Sequence, residues 1–300
     1  IYSRPVPSES DPELRLGTVA LVNNSVGSGP SSALFQMGFT VTALDGLTIE
    51  PYPEVEPLDS DEEEQSIELL YRNKRTYAIG HGCAVEWAAE GKTTTAWVRA
   101  DPLPAYEVVS LTPDVYVTNV SGLRERVTVS MAALADGSQV GREQVETVLH
   151  LYDEWIARQE ALIPDLLPRF QGAARRHMEL CREALDRMRT GWNLVRSSVI
   201  AEKAFKLANE AMLYQQIRSR LPLRTVEGGK DGVLRPVGPH PAATPQPGQG
   251  NWRPFQIAFL LASLPELAEP TRPARSLVDL IFFPTGGGRT QAYLGGSAVS

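Results

Sequence analysis

Over residues 1–137 apolar and polar positions alternate with the two-residue period of half-buried strands. The clearest runs are Phe39-Thr40-Val41-Thr42-Ala43, Thr95-Ala96-Trp97-Val98, Tyr106-Glu107-Val108-Val109, Val115-Tyr116-Val117 and Val127-Thr128-Val129. Turn residues separate them, so the pattern predicts a β-rich module. After Gly137 the spacing becomes helical. Val145, Leu149, Tyr152, Ile156 and Ile163 share one face of a first helix. Phe170, Ala174, His177, Cys181, Ala184 and Met188 share a face of a second, and Phe205, Ala208, Met212 and Gln215 of a third. Glycine weakens a helix interior, so Thr190-Gly191 predicts the break between the second and third.

Residues 227–250 hold six Gly and five Pro, a composition that buries too little surface to offset the entropy of ordering it, and read as a linker or mobile loop. The helical spacing then resumes from Phe255 to Leu264. A loop with Pro265, Pro270 and Pro273 follows, and then the apolar run Val278-Asp279-Leu280-Ile281-Phe282-Phe283. A short apolar run bounded by prolines predicts a buried parallel strand.

Composition narrows the class. With 42% hydrophobic and 22% charged residues, 24 Gly and 23 Pro, the chain reads as soluble, globular and rich in loops, which excludes collagen, coiled coil and wholesale disorder. Its longest largely apolar runs, Leu277 to Pro284 and Phe259 to Leu264, are far shorter than the roughly eighteen residues a membrane helix needs, so no membrane partner is expected. The chain starts at Ile1 without a basic and apolar leader before Leu14, which predicts a missing N-terminus and gives no support for secretion. Cys83 and Cys181 match neither a disulfide framework nor a zinc spacing, and a reducing cytosol is the expected location.

The net charge of −7 is unevenly spread. Between Leu151 and Arg224 there are 13 Lys or Arg against 9 Asp or Glu, leaving 16 against 27 elsewhere. The acid gathers in Asp59-Ser60-Asp61-Glu62-Glu63-Glu64, which reads as a solvated loop or, alternatively, as an acidic plug that mimics phosphate over a basic channel. Arg175, Arg176, Arg182, Arg187, Arg189 and Arg196 flank the apolar face of the second helix, with Lys203, Lys206, Arg218 and Arg220 beyond. They form either a solvated exterior, paired with Glu179, Glu183 and Asp186, or a face for a DNA backbone.

The stretch that carries chemistry is Pro284-Thr285-Gly286-Gly287-Gly288-Arg289-Thr290, set between the predicted strand and the helix-compatible Gln291-Ala292-Tyr293-Leu294. Strand, glycine turn and helix N-terminus in this order make a phosphate cradle: backbone N–H groups point inward and the helix presents its positive end. This predicts a P-loop over 283–290 in which Thr285, Gly286, Gly287 and Gly288 hold the phosphates of ATP. Arg289 meets their charge and Thr290 places a hydroxyl on Mg²⁺. Two letters depart from the strict pattern. Phe283 stands where the first glycine is expected and Arg289 where lysine is expected, and a planar guanidinium is not a compact ammonium. Upstream lies Trp252-Arg253-Pro254-Phe255-Gln256, which resembles the aromatic and glutamine that recognise adenine ahead of the P-loop in superfamily 2 helicases, and the resemblance implies that Phe255 stacks on the base and Gln256 meets its edge. Gly91-Lys92-Thr93 imitates a P-loop ending but sits among strands, with Glu86 at the place of the upstream glycine, and reads as a hairpin turn.

Together these residues resemble the helicase of the DISARM anti-phage defence system and its close relatives. The likeness lies in Arg253-Pro254-Phe255-Gln256, Ser263-Leu264-Pro265, Val278-Asp279-Leu280 and the Pro284–Thr290 loop. Upstream it lies in Glu68-Leu69-Leu70-Tyr71-Arg72, Arg75–Ala84 and Ala204–Met212. The family's loop has lysine where Arg289 stands and glutamate where Gln291 stands. The resemblance implies the N-terminal portion of an ATP-dependent superfamily 2 DNA helicase, with DNA and a second subunit of the defence complex as partners. It implies an α+β multidomain chain: a β-rich N-terminal module over 1–137, a helical module over 138–226, the linker 227–250, and over 251–300 the truncated start of a RecA-like α/β P-loop lobe. Hydrolysis belongs to the full-length family, and whether this chain alone is an enzyme stays open. The alternative is a non-catalytic nucleic-acid or partner-binding module whose P-loop is degenerate at Arg289.

Other residues attract less chemistry. His81-Gly82-Cys83 offers a dyad without a third group and reads as a turn at a strand end. His177 and Cys181, one helical turn apart, read as core packing. Residues 278–300 are expected to be poorly supported without the remainder of a sheet.

Overall fold

The computed structural model describes the chain apart from residues 7–12, 28, 45, 53–59, 89–92, 106–110, 220, 222–223, 239–244, 246–247, 270, 283–287 and 300. It divides into two compact units, 1–108 and 109–300.

In the first unit, β1 (Tyr2–Pro5) and β2 (Arg15–Thr18) form an antiparallel ribbon. Three further strands, β3 (Phe39–Thr42), β4 (Ala84–Trp87) and β5 (Trp97–Asp101), form an antiparallel sheet in the order β3-β5-β4. Val41 and Trp87 both pair with Val98, so the alternation read from the sequence sets the register. Glu86 is paired across the sheet with Arg99 at 3.0 Å. Gly80 is required where it stands: a Cβ there would lie 2.0 Å from the carbonyl oxygen of Cys83. Gly82 turns the chain into β4 with φ +77°, so His81 and Cys83 belong to the expected turn at a strand end. The Tyr106–Val109 run and Gly91-Lys92 lie outside the described residues.

The acidic run is not a loop over its described part. Asp61 caps the helix α1 (Glu62–Tyr71), its carboxylate accepting from the Glu64 N–H at 2.9 Å, and Glu62, Glu63 and Glu64 fill the first turn. Negative charge there is favoured by the helix dipole and by the unpaired N–H groups, so clustering that reads as repulsion in sequence stabilises a helix start. Asp59 lies outside the described residues.

The second unit opens with the hairpin of β6 (Tyr116–Thr118) and β7 (Arg124–Arg126), then β8 (Val129–Ser130) and the short helix α2 (Met131–Ala135). Helices α3 (Gln139–Leu162), α4 (Pro168–Ser197) and α5 (Val199–Arg218) follow. The predicted faces hold, with Val145, Leu149, Ile156, Phe170, Met188, Phe205 and Met212 all buried. The predicted break at Thr190-Gly191 does not: α4 runs through it, and the chain turns at Ser198, whose hydroxyl caps α5 through the Ala201 N–H. Part of the glycine-rich stretch is ordered as a hairpin of β9 (Val226–Gly228) and β10 (Leu234–Pro236). Its end is tied down as well, the Gly250 N–H donating to Gln216 Oε1 at 2.9 Å.

Next, β11 (Asn251–Trp252) pairs with β8 and delivers Trp252 into the core, fully buried. The helix α6 (Pro254–Ala268) follows, then α7 (Arg289–Val299). Proline at 265 does not end α6. Lacking an N–H, Pro265 leaves the Leu261 carbonyl without its partner four residues on, and that carbonyl presses against Gly191 of α4. Glycine is what admits it. A Cβ at 191 would stand 1.8 Å from the Leu261 oxygen.

The predicted parallel strand over 278–283 is a correction. Residues 277–282 carry no strand pairing, Leu277, Val278, Leu280 and Phe282 are exposed, and Ile281 alone of the segment is buried. Strand N–H and C=O groups need a neighbour, and no described strand lies beside them. The segment is pinned through Asp279, whose carboxylate accepts from both terminal nitrogens of Arg187 at 2.9 and 2.8 Å. This hydrogen bonding holds the Asp279 carboxyl below the usual aspartate range. A lowered native value means that the pair contributes fully above the unfolded value of about 4 and is lost as pH falls through the native one. Amide protection factors over 277–282 should therefore hold at pH 6 and decline below about pH 4, and Asp279→Asn should lower them at pH 6 and converge with wild type once the carboxyl is protonated. Equal protection in the variant at pH 6 would show that the pair does not anchor the segment.

Candidate nucleotide site

Arg253 ends the extended stretch and Pro254 opens α6, a first-turn position at which its missing N–H costs nothing. Gln256, in the same turn, folds back so that its Oε1 accepts from the Arg253 N–H at 2.9 Å. Its Nε2 donates to the carbonyl of Gly288 at 2.7 Å. The two motifs that the sequence separates by more than thirty positions thus meet at one amide, itself only 3% exposed.

Helix packing brings them together. Phe259 and Tyr293 meet edge to face at 5.6 Å, joining α6 to α7, and Ala292 is fully buried. Gly295 lies under the Trp252 ring, where a Cβ would stand 2.9 Å from the indole. The indole N–H donates to Asn209 Oδ1 at 2.7 Å, and both residues are fully buried. With α7 held in this way, its first turn starts beside Gln256. Gly288 has φ +94°, a conformation L side chains avoid, and a Cβ there would lie 2.7 Å from Gln256 Nε2.

Of the predicted cradle, Gly288, Arg289 and Thr290 are described. Thr285, Gly286, Gly287 and Phe283 lie outside the described residues. Arg289 is half-buried in the first turn of α7 and Thr290 is exposed beside it. Phe255 is half-buried next to Gln256. The residues present fit a phosphate group in one respect, an α-helix that starts directly after a positive-φ glycine. Arg253 belongs to the same sequence motif, but spacing gives it no role. Its Nε lies 3.4 Å from Asp114, while its guanidinium flanks Gly288, with Nη1 3.7 Å from the position of a Cβ there. Asp114 carries no sequence signal at all.

The arginines of α4 take a course that neither sequence reading contains. Arg175, Arg182, Arg189 and Arg196 recur every seven residues and so share one side of the helix. Three of them are paired with carboxylates of α3 rather than of α4. Arg182 bridges Asp153 and Glu160, Arg189 reaches Asp153 at 2.7 Å, and Arg196 reaches Glu146 at 3.2 Å. Arg175 donates to Gln171. The Arg189 and Arg182 guanidinium groups hold the Asp153 carboxyl below the usual aspartate range. A cavity of about 340 Å³ opens beside this row, lined by Glu146, His150, Arg189, Trp192, Asn193 and Arg196. A phosphate entering it would have to displace carboxylates already in place. Cys181 takes part in the interhelical packing, where burial and its hydrogen bond with Tyr152 push the phenol up. Among the described residues no group of three His, Cys, Asp or Glu is placed to hold a metal, and no helix is long and apolar enough to cross a membrane.

No protein-family model matches the chain. It is similar to the DISARM protein DrmA of Bacillus paralicheniformis, with 30% identity over 290 residues. The match takes in 95% of this chain and 24% of that protein, so the chain spans about a quarter of the length of the curated relative it matches.

Proposed function

We propose that this chain is the N-terminal portion of a DISARM-type anti-phage defence protein, an ATP-dependent superfamily 2 DNA helicase, and that residues 283–290 bind ATP with Mg²⁺ at the opening of a RecA-like lobe. The observation that carries the nucleotide reading is the hydrogen bond from Gln256 Nε2 to Gly288 O at 2.7 Å, which joins the aromatic-glutamine tetrad to the glycine turn. Similarity to a DISARM protein over 95% of the chain supports the defence role. In this reading Phe255 and Gln256 face the base. The backbone of 285–288 takes the phosphates, Arg289 offsets their charge and Thr290 holds Mg²⁺. DNA and a second subunit of the defence complex are the proposed partners, and the bacterial cytoplasm the proposed location.

Titration of the chain with ATP, with and without Mg²⁺, tests it. Wild type is expected to bind, Arg289→Lys to bind at least as tightly because a compact ammonium suits the loop, and Thr290→Ala to lose about tenfold of the Mg²⁺-dependent affinity. Absence of binding by wild type and Arg289→Lys alike would reject the cradle.

A second reading rests on the same glutamine. Gln256 spends both ends of its amide on backbone groups, which suits a brace between α6 and the glycine turn in a non-catalytic nucleic-acid or partner-binding module. It predicts that Gln256→Ala destabilises the protein, whereas the adenine-reading role predicts loss of preference for ATP over GTP.

A further inference from the structure

We infer that Arg187 is a clasp with two positions: it either grips Asp279 and docks the 277–282 segment on the helices, or turns to Glu266 of α6 and releases that segment. The inference is independent of the nucleotide reading. It starts from two groups that the docked arrangement leaves unsatisfied. Arg187 spends both terminal nitrogens on the Asp279 carboxylate, at 2.9 and 2.8 Å, while its Nε is buried without an acceptor. Glu266 Oε2 is buried without a donor. A buried donor and a buried acceptor that have given up water for no partner each cost free energy, and more so on charged groups.

Helix α6 brings the two together. Arg187 Nη2 donates to the Ala262 carbonyl at 3.5 Å, and Glu266 stands one helical turn further along the same face. Both carboxylates hold the Arg187 guanidinium above the usual arginine range, Asp279 chiefly through its hydrogen bonds and Glu266 by charge alone. One guanidinium therefore has two carboxylates to choose from, and a bidentate grip on one denies the other.

The two positions differ in what they leave behind. With Arg187 on Asp279 the bidentate pair and the burial of Ile281 are kept, but Glu266 stays buried and unpaired. With Arg187 on Glu266 the buried acceptor is satisfied. Asp279, whose side chain is already 34% exposed, then passes into water on a segment that has no strand pairing. Neither side of this balance is large, because Leu277, Val278, Leu280 and Phe282 are exposed even when docked. Two states separated by a small free energy are what a conformational switch requires. Release frees the backbone N–H and C=O groups of 277–282 and those four apolar side chains to pack elsewhere.

The test is the rate of chymotryptic cleavage of the chain after Leu280 and Phe282, located by mass spectrometry, in wild type, Asp279→Asn, Glu266→Gln and the double variant, with urea midpoints measured alongside. Cleavage that is slow relative to opening and closing reads the population of the released state. Asp279→Asn removes the docked position and should speed cleavage about tenfold, whereas Glu266→Gln removes the competitor and should slow it about three- to tenfold. The double variant should be cleaved within about twofold of Asp279→Asn, since the segment is released in both. In an ion pair with a single position Glu266 only supports the cation, so Glu266→Gln would leave the rate unchanged or raise it, and either result overturns the inference. Absence of cleavage at both sites in wild type and Asp279→Asn alike also overturns it. Should Glu266→Gln fail to fold, relaxation dispersion of the Arg187 Nε–H group in wild type decides. Exchange that Asp279→Asn abolishes supports two positions, and a flat profile in wild type counts against them.

Discussion

Gly191→Ala should destabilise the 109–300 unit by about 3 kcal/mol, although helix propensity alone favours alanine by about 1 kcal/mol. The glycine sits inside the 30-residue helix α4, where a Cβ would stand 1.8 Å from the Leu261 oxygen and 2.8 Å from the carbonyl carbon. Backbone of α6 cannot rotate aside as a side chain does, so α4 and α6 must separate along a contact that includes Leu185, Met188, Trp192, Leu260, Leu261 and Leu264. Gly172 provides the control within the same helix. It is exposed, and a Cβ there would meet nothing nearer than Arg176 at 3.7 Å, so Gly172→Ala should stabilise by about 0.5–1 kcal/mol. Urea midpoints compared at unchanged m-value separate the two cases. A stabilised Gly191→Ala would mean that the helices are not in contact at this point.

Trp252→Ala carries the other large effect, a loss of about 3–5 kcal/mol. The ring is fully buried, holds α7 through Gly295 and donates to the fully buried Asn209. Trp252→Phe keeps most of the volume but strands Asn209 Oδ1, which alone costs about 1–3 kcal/mol. Because Trp252 seats the helix that begins beside Gly288, both variants should also lower amide protection in α7 and weaken ATP binding. A double-mutant cycle with Asn209→Ala isolates the hydrogen bond; additive losses would show that the two side chains are not coupled.

Whether the site can be read in sequence depends on how far apart its parts lie. Phe255, Gln256 and the glycine turn stand out in sequence because each stretch is contiguous, but the strand that a phosphate cradle asks for ahead of the turn is absent among the described residues. Arg253 stands in the quoted tetrad but has no spacing to give it a role, and Asp114 arrives from the segment before the β6–β7 hairpin. The arginine row is half legible. Its seven-residue recurrence can be counted, yet the sequence places Glu179, Glu183 and Asp186 nearer than Asp153, Glu160 and Glu146, which the α3–α4 packing selects instead. That pairing weakens the reading of α4 as a DNA face, since charge neutralised across helices is not available to phosphate without displacement.

By itself the sequence determined the helical faces and the strand alternation in β3 and β5, because each depends on periods and neighbours within a few residues. Tertiary structure alone decided the rest. Gly191 reads as a helix breaker until the Leu261 carbonyl freed by Pro265 is seen against it, and the acidic run reads as a loop until Asp61 is seen capping a helix. The run 277–282 has the apolar content of a buried strand but no described neighbour to accept its hydrogen bonds, so composition that favours a strand does not make one. Propensity is a property of a residue and its near neighbours, whereas burial, charge pairing and strand formation are properties of what lies across from it.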